Sequence, residues 1–352
     1  MRIKILYLYS EVMGYTLATI KELSNSGSEV HVVHWDTKKL TPFQLQPIDN
    51  VTFYPRSTYS TSKIKELVDR VKPDLAVISG WQDKGYLKVA RLLRKKAIPV
   101  VTGLDSQWHG SVKQYLAAFL SPFFKIFYSH AWVSGPYQFE YTRRLGFKKC
   151  EIVFDLYSAD LALYNDIYNQ SKITKQACYP HRFIFVGRFE NVKAVDLLAA
   201  AWLRLEGQRK DWELHLIGSG SLKSYLQGQA GITIHDFMQP DRLKYVVATS
   251  GCFILPSRHE PWGVVIHEFA AAGLPIICSD VCGAVPMFVI HGLNGYWFES
   301  ENMDSLVAQM MNIINSDDRE LCAMSDASHL LGQRITPSSS AANLLTIIRG
   351  QL

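Results

Sequence analysis

CFILPSRHEPWGVVIHEFAAAGLPIICSD (252–280) reads as strand, loop, helix and strand. CFILPS (252–257) and PIICSD (275–280) are short apolar runs, and residues 264–272 between them follow a helical pattern. The same rhythm extends upstream through RFIFVG (182–187), ELHLIG (213–218) and GITIHD (231–236), with helix-like intervals at 193–206 and 241–249. Continuous apolar strands separated by helices predict a parallel sheet covered on both faces. An earlier series, IKILYLY (3–9), EVHVV (29–33), DLAVIS (74–79), PVVTGL (99–104) and AWVS (131–134), predicts a second such sheet, with amphipathic segments at 84–97 and 137–145. Between the two series the polar stretch 156–181 shows no clear period and reads as a connection. GQRITPSSSAANLLTIIRG (332–350) places Pro337 and three serines before an apolar helical segment, which predicts a final helix. The fold class is therefore α/β, with two Rossmann-like doubly wound domains, 1–165 and 166–332. Residues 333–352 form a C-terminal helix that could cross back to the first domain. Ligands are expected at the carboxyl ends of the strands, with a cleft between the domains as the default site.

The chain has 352 residues, 48% hydrophobic and 20% charged, enough apolar material for two cores and too much for disorder. Its six cysteines contain no CxxC pair, and Cys278, Cys282 and His291 lack paired zinc-type spacing, so no metal site is expected. The N-terminal stretch lacks a small-residue cleavage site, and no apolar run reaches the ~18 residues of a membrane span. A reduced, cytoplasmic protein is the expectation. The net charge of +5 is uneven, +8 over residues 1–165 and −3 over the remainder. A basic first half fits either an anionic surface as partner or ordinary solvated lysines.

Three features carry chemistry. Glu260 lies in the loop after CFILPS, and Glu268 follows eight residues later on the helix that Gly263 opens. The free amides of Gly263, Val264 and Val265 suit a phosphate, and carboxylates beside them can accept hydrogen bonds from sugar hydroxyls. In FVGRFENVK (185–193), Arg188 and Lys193 leave one strand end together and can neutralise a diphosphate; no Asp-x-Asp pair is present to hold one through a metal. Taken singly, each pattern also fits a solvated helix with acidic residues near its start, or surface cations flanking a turn.

In combination, VGRFENVK, LIGSGS (216–221), FILPSRHEPWG (253–263), E-P-W-G-V-V-I-H-E (260–268) and CGAVPMFVIHGLNGYWFE (282–299) resemble the retaining glycosyltransferases of family four, whose signature is E-x7-E. The likeness covers residues 180–330 well and the first half in outline. It implies a GT-B fold with the nucleotide-sugar donor held mainly by the C-terminal domain; a UDP-linked donor and no separate cofactor are expected. On that resemblance Glu268 binds the donor ribose and Glu260 the transferred sugar. Arg188 and Lys193 hold the diphosphate, assisted by Gly218 and the backbone of Trp262, Gly263, Val264 and Val265. Asp236, Phe237 and Met238 meet the base. Retention is explained in the family by a front-face reaction in which a donor phosphate oxygen takes the acceptor proton, so the protein positions and stabilises charge.

The first domain departs from the family. Its first loop, SEVMGYTLATIKEL (10–23), has Gly14 alone where paired glycines are common. Where a histidine commonly lies near the reacting sugar, VVTGLDSQWHG (100–110) has Leu104 followed by Asp105, which makes Asp105 and His109 the catalytic candidates beside Glu260. The family's G-G-x-P-E is C-G-A-V-P-M here and lacks the carboxylate. YLAAFLSPFFKIFYSH (115–130) and KVARLLRKK (88–96) fit either a core helix around Pro122 with a solvated neighbour, or a surface that rests on an anionic bilayer and reaches a lipid-linked acceptor. His215, His235 and His267 fall within strand or helix patterns and are expected to be structural. The resulting expectation is a retaining, metal-independent transferase of a hexose or N-acetylhexosamine, acting on a saccharide or lipid-linked saccharide in bacterial surface polysaccharide synthesis at the cytoplasmic face of the inner membrane. No nucleic-acid partner is expected. A UDP-sugar epimerase or hydrolase, or an inactive nucleotide-sugar-binding module, are the alternatives.

Overall fold

A computed structural model of the chain describes residues 2–37 and 45–350. It forms two compact units, Met1–Ser158 with Ile335–Leu352, and Ala159–Arg334. The last two residues of the expected C-terminal segment lie outside the described residues.

The first unit is built on strands β1 (Lys4–Tyr9), β2 (Glu29–His34), β3 (Val51–Pro55), β4 (Leu75–Ile78), β5 (Val100–Leu104), β6 (His130–Val133) and β7 (Ile152–Val153), all parallel in the order β3-β2-β1-β4-β5-β6-β7. Its helices are α1 (Gly14–Asn25), α2 (Thr61–Val71), α3 (Lys84–Lys95), α4 (Val112–Phe119), α5 (Ser121–Phe127) and α6 (Pro136–Arg144). Alternate residues of β1 feed opposite layers. Leu6 and Leu8 join Ile64, Val89 and Leu93 beneath α2 and α3, while Ile5, Tyr7 and Tyr9 join Ile20 and Leu23 of α1. That two-residue alternation within an unbroken apolar run is the signature of a strand buried on both faces.

The second unit opens with α7 (Leu161–Ala177) and alternates β8 (Arg182–Val186), α8 (Val195–Arg204), β9 (Glu213–Ile217), α9 (Lys223–Leu226), β10 (Ile232–His235), α10 (Pro240–Ala248), β11 (Cys252–Leu255), α11 (Val264–Ala271), β12 (Ile276–Ser279), α12 (Val285–Phe288) and β13 (Gly295–Phe298). Helices α13 (Met303–Asn315) and α14 (Asp318–Gly332) complete it. The sheet order is β10-β9-β8-β11-β12-β13, again wholly parallel. Phe253 of β11 stacks on Phe269 of α11 with centroids 4.1 Å apart, fixing the helix over the strand that precedes it. The final helix α15 (Pro337–Arg349) belongs to the first unit, where it packs on α1 through Thr19 and Ser340 at 3.2 Å and through Leu344 and Leu345.

Two sequence readings need correction. The stretch 156–181 is not an irregular connection, because it contains α7, and a junction at 165/166 would fall inside that helix. The buried stripe of α7 consists of Leu161, Tyr164, Ile167, Tyr168, Ser171 and Lys175, so tyrosine, serine and lysine occupy positions where aliphatic residues would have revealed the period. Nor is the aromatic run around Pro122 a core helix: α4 and α5 have no buried residue.

Candidate functional site

In the second unit the strand order reverses between β8 and β11, and the segments leaving these two strands carry the predicted donor residues. Such a switch point opens a crevice at the carboxyl edge of a parallel sheet. After β8 the chain passes Arg188 and a short 3-10 turn, Asn191–Lys193, before Ala194 (φ 52°) leads into α8. After β11 it passes Ser257, Arg258 and Glu260 before Gly263 leads into α11. Arg258 ties the two loops together. Its backbone N–H donates to the Val192 carbonyl at 2.9 Å, and its guanidinium grips Asp196 at 2.7 and 2.8 Å and the Asn191 carbonyl at 2.6 Å.

This brace sets Lys193 against Glu260. The Lys193 ammonium donates to Glu260 Oε2, which also accepts from Ser257 Oγ at 3.2 Å. Both side chains are largely buried, so the pair is little screened by solvent. An ammonium has three donors, and those not given to Glu260 remain for a phosphate oxygen. Arg188 is exposed and joins no ion pair among the described residues.

Gly263 has φ 91° and ψ 62°, and no side chain caps α11. The first-turn amides of Val264 and Val265 therefore present a positive helix end beside Glu260. Glu268 lies a turn further along α11. It is partly buried and hydrogen-bonded by Tyr164 of α7, and burial, reinforced by the nearby Asp160 carboxylate, pushes its pKa up to about 7. Trp262 is buried against Phe288, and its indole N–H has no acceptor among the described residues.

Gly218 allows β8 and β9 to meet at their ends. Its φ is 146°, and a Cβ there would lie 1.9 Å from the Gly187 carbonyl oxygen. The next loop is fastened by Ser221, whose backbone N–H and Oγ donate to Glu190 at 3.1 and 2.6 Å. Met238, just beyond β10, is partly buried beside the exposed Phe237. Arg188, Lys193, Gly218, Met238, Glu260, Trp262, Gly263, Val264, Val265 and Glu268 all fall at or beyond the carboxyl edge of this one sheet.

The first unit places Gly14, Asp105 and His109 beyond the carboxyl ends of its own strands. Gly14 starts α1, which has no side-chain cap, and a Cβ at Gly14 would meet nothing within 4 Å. Asp105 directly follows β5. Tyr157 Oη donates to its Oδ2 at 3.3 Å, and Gln138 holds its carbonyl at 3.1 Å. His109 is exposed in the loop before α4, where its backbone N–H donates to Gln114 at 2.8 Å. His267 is fully buried, its Nδ1 accepting from the Ala159 N–H at 3.1 Å and its Nε2 donating to the Gly332 carbonyl at 2.8 Å. His215 and His235 bond each other at 3.1 Å across neighbouring strands. Among the described residues, no group of three or more His, Cys, Asp or Glu side chains is placed to hold a metal ion.

Sequence reasoning did not find Arg258, Ser257, Tyr164 or Tyr157. Arg258 and Ser257 lie inside the quoted PSRHEPWG run, but their role depends on a partner from another loop. Tyr164 and Tyr157 lie in the stretch read as a connection.

Two doubly wound units with candidate residues at their carboxyl edges define the GT-B class of fold. Comparison with known proteins agrees. Residues 180–316 match the family described as "Glycosyl transferases group 1", and residues 4–132 match "Glycosyl transferase 4-like". An uncharacterized glycosyltransferase of Methanocaldococcus jannaschii is 32% identical over 130 residues, 35% of this chain and 33% of the relative. One from Haemophilus influenzae is 29% identical over 153 residues, 42% of this chain and 43% of the relative. The chain thus spans less than half the length of these curated relatives. The structure of Anabaena HepE in complex with UDP and glucose superposes with a TM-score of 0.71 at 16% identity, covering 99% of this chain and 100% of that one. The second unit thus resembles the group 1 glycosyl transferases and the first the 4-like kind, and the fold is that of the GT-B class.

Proposed function

We propose that the protein is a retaining, metal-independent glycosyltransferase that moves a hexose or N-acetylhexosamine from a nucleoside diphosphate sugar, UDP-linked, to a saccharide or lipid-linked saccharide acceptor. The observation that carries this reading is the Lys193–Glu260 pair at the strand switch point, beside the uncapped start of α11. A diphosphate there would meet the α11 amides, the exposed Arg188 guanidinium and the remaining Lys193 donors. Glu260 would then accept from hydroxyls of the sugar next to the leaving phosphate, and Glu268 from the ribose diol. The donor is a substrate, and the mechanism calls for no resident cofactor. In the first unit, Asp105 and His109 are the groups proposed to meet the reacting sugar or the acceptor.

In this mechanism the leaving diphosphate gains charge as the glycosidic bond lengthens, and fixed cations and amides stabilise that charge without reorganising. A phosphate oxygen of the donor takes the acceptor proton, so no protein nucleophile is needed. The proposed setting is bacterial surface polysaccharide synthesis at the cytoplasmic face of the membrane. Among the described residues, no helix is long and apolar enough to cross a membrane.

The test is calorimetric titration of UDP, GDP, ADP and dTDP with and without magnesium, followed by the matching sugar nucleotides. Binding of one nucleotide that is independent of metal and lost in Glu268→Ala supports the reading. Absence of binding to all four overturns the donor-site assignment and the activity with it.

A further inference from the structure

Helix α4 is amphipathic with its apolar stripe turned outward. Val112, Tyr115, Leu116 and Phe119 recur at i, i+3, i+4 and i+7, the spacing of a core-facing stripe, yet Val112 is 85% exposed and Phe119 82%. The stripe continues onto α5 through Phe123 and Ile126, both exposed. A continuous outward apolar face of this size calls for an occupant. The helix is nevertheless well built. Ser111 and Gln114 form a capping box at its start, and Trp108 meets Tyr115 edge-on at 4.9 Å.

The charge around this face selects the occupant. Residues 84–127 contain eight lysines and arginines and one acidic residue, Asp105. On α3, which packs against α5, Lys84, Lys88, Arg91 and Lys95 fall at i, i+4, i+7 and i+11, all exposed and, among the described residues, none in an ion pair. A second copy of this chain would fit poorly, because a two-fold interface sets a patch against itself and would bring these cation stripes together.

We propose that α4 and α5, flanked by the cationic face of α3, form a docking surface for an anionic lipid bilayer. The apolar stripe enters the headgroup and acyl boundary while the lysines and Arg91 meet lipid phosphates. This surface goes beyond the donor site and is tested without any sugar nucleotide.

The experiment is co-sedimentation of the full chain with phosphatidylglycerol-containing vesicles and with pure phosphatidylcholine vesicles, for wild type, Leu116→Asp/Phe119→Asp and Lys88→Glu/Arg91→Glu. Wild type should bind the anionic vesicles, weaken at high salt and bind neutral vesicles poorly. Each double variant should lose more than about tenfold in partition. Because all four side chains are exposed, circular dichroism should be unchanged, and UDP affinity reports separately on the second unit. Equal binding to both vesicle types, unchanged binding of either variant, or a concentration-dependent dimer by ultracentrifugation that Leu116→Asp/Phe119→Asp abolishes would each overturn the proposal.

Discussion

Lys193 and Glu260 neutralise each other at the strand switch point of the second unit, with Ser257 bonding the same carboxylate oxygen. The sequence alone assigned these side chains to different parts of the donor, one to the diphosphate and one to the sugar. Their contact means that each holds the other in place before any donor binds.

Glu260→Gln removes the charge that offsets Lys193 and leaves a similar shape. UDP affinity should stay the same or rise by up to about tenfold, while transfer falls by at least about a hundredfold. Lys193→Met should lose affinity and also destabilise the fold by about 3 kcal/mol, because it strands a largely buried carboxylate. Calorimetry and urea unfolding of the two single variants and the double variant measure both effects. Equal loss of UDP affinity in Glu260→Gln and Glu268→Ala would contradict the division of roles.

Glu268 gives the site a pH signature. Its pKa, raised by burial to about 7, leaves it protonated at acid pH, when it accepts hydrogen bonds poorly from a ribose diol. UDP affinity should therefore climb as pH rises through about 7, and the slope should vanish in Glu268→Gln. Stability should move the other way. The folded state holds this proton more tightly than the unfolded chain, so stability falls as pH rises from the ordinary carboxylate range to about 7. At pH 8, Glu268→Gln should be the more stable protein by up to about 3 kcal/mol, read from thermal unfolding. A pH-independent UDP affinity in wild type would remove the ribose role.

Much of this was legible in the sequence because strands buried on both faces are unbroken apolar runs. CFILPS and PIICSD became β11 and β12 within a residue or two, and Gly263 marked the start of α11. β3, β7 and β13 were missed. VTFYP is only partly buried at a sheet edge and ends in proline, β7 has two residues, and GYWF closes the other sheet with two of its aromatic side chains outside the core. The braces of the site were hidden for another reason. Arg258 acts through Asp196, and Tyr164 through Glu268, and no local spacing records a contact between residues 62 or 104 positions apart.

Lys175 on α7 shows what that helix costs the fold. It is 4% exposed, near the Tyr179 ring and the Gly273 carbonyl, and burial lowers its pKa to about 8. Below pH 8 it is charged in both states and the whole desolvation penalty is present; the penalty fades as pH rises from about 8 to the ordinary lysine value. Lys175→Met should raise stability at pH 7 by up to about 3 kcal/mol and by much less above pH 10.5. Equal gains at both pH values would mean that packing, not charge, sets the effect.

Tyr157 and Asp105 offer the sharpest test of the first unit. Tyr157 donates to the Asp105 carboxylate and packs edge-on against Tyr15 at 4.9 Å, while Gln138 fixes the Asp105 backbone. Tyr157→Phe keeps the ring contact and deletes only the hydroxyl. If Asp105 acts on the reacting sugar or acceptor, this change should lower kcat roughly tenfold, the value of one hydrogen bond to a charged group, and leave UDP affinity untouched. Asp105→Asn should lose more, and adding Tyr157→Phe to it should cost little further, because the two residues act as one unit. Additive losses in the double variant would show that Tyr157 contributes independently of Asp105. A full-rate Asp105→Asn enzyme would move the catalytic assignment in this unit to His109.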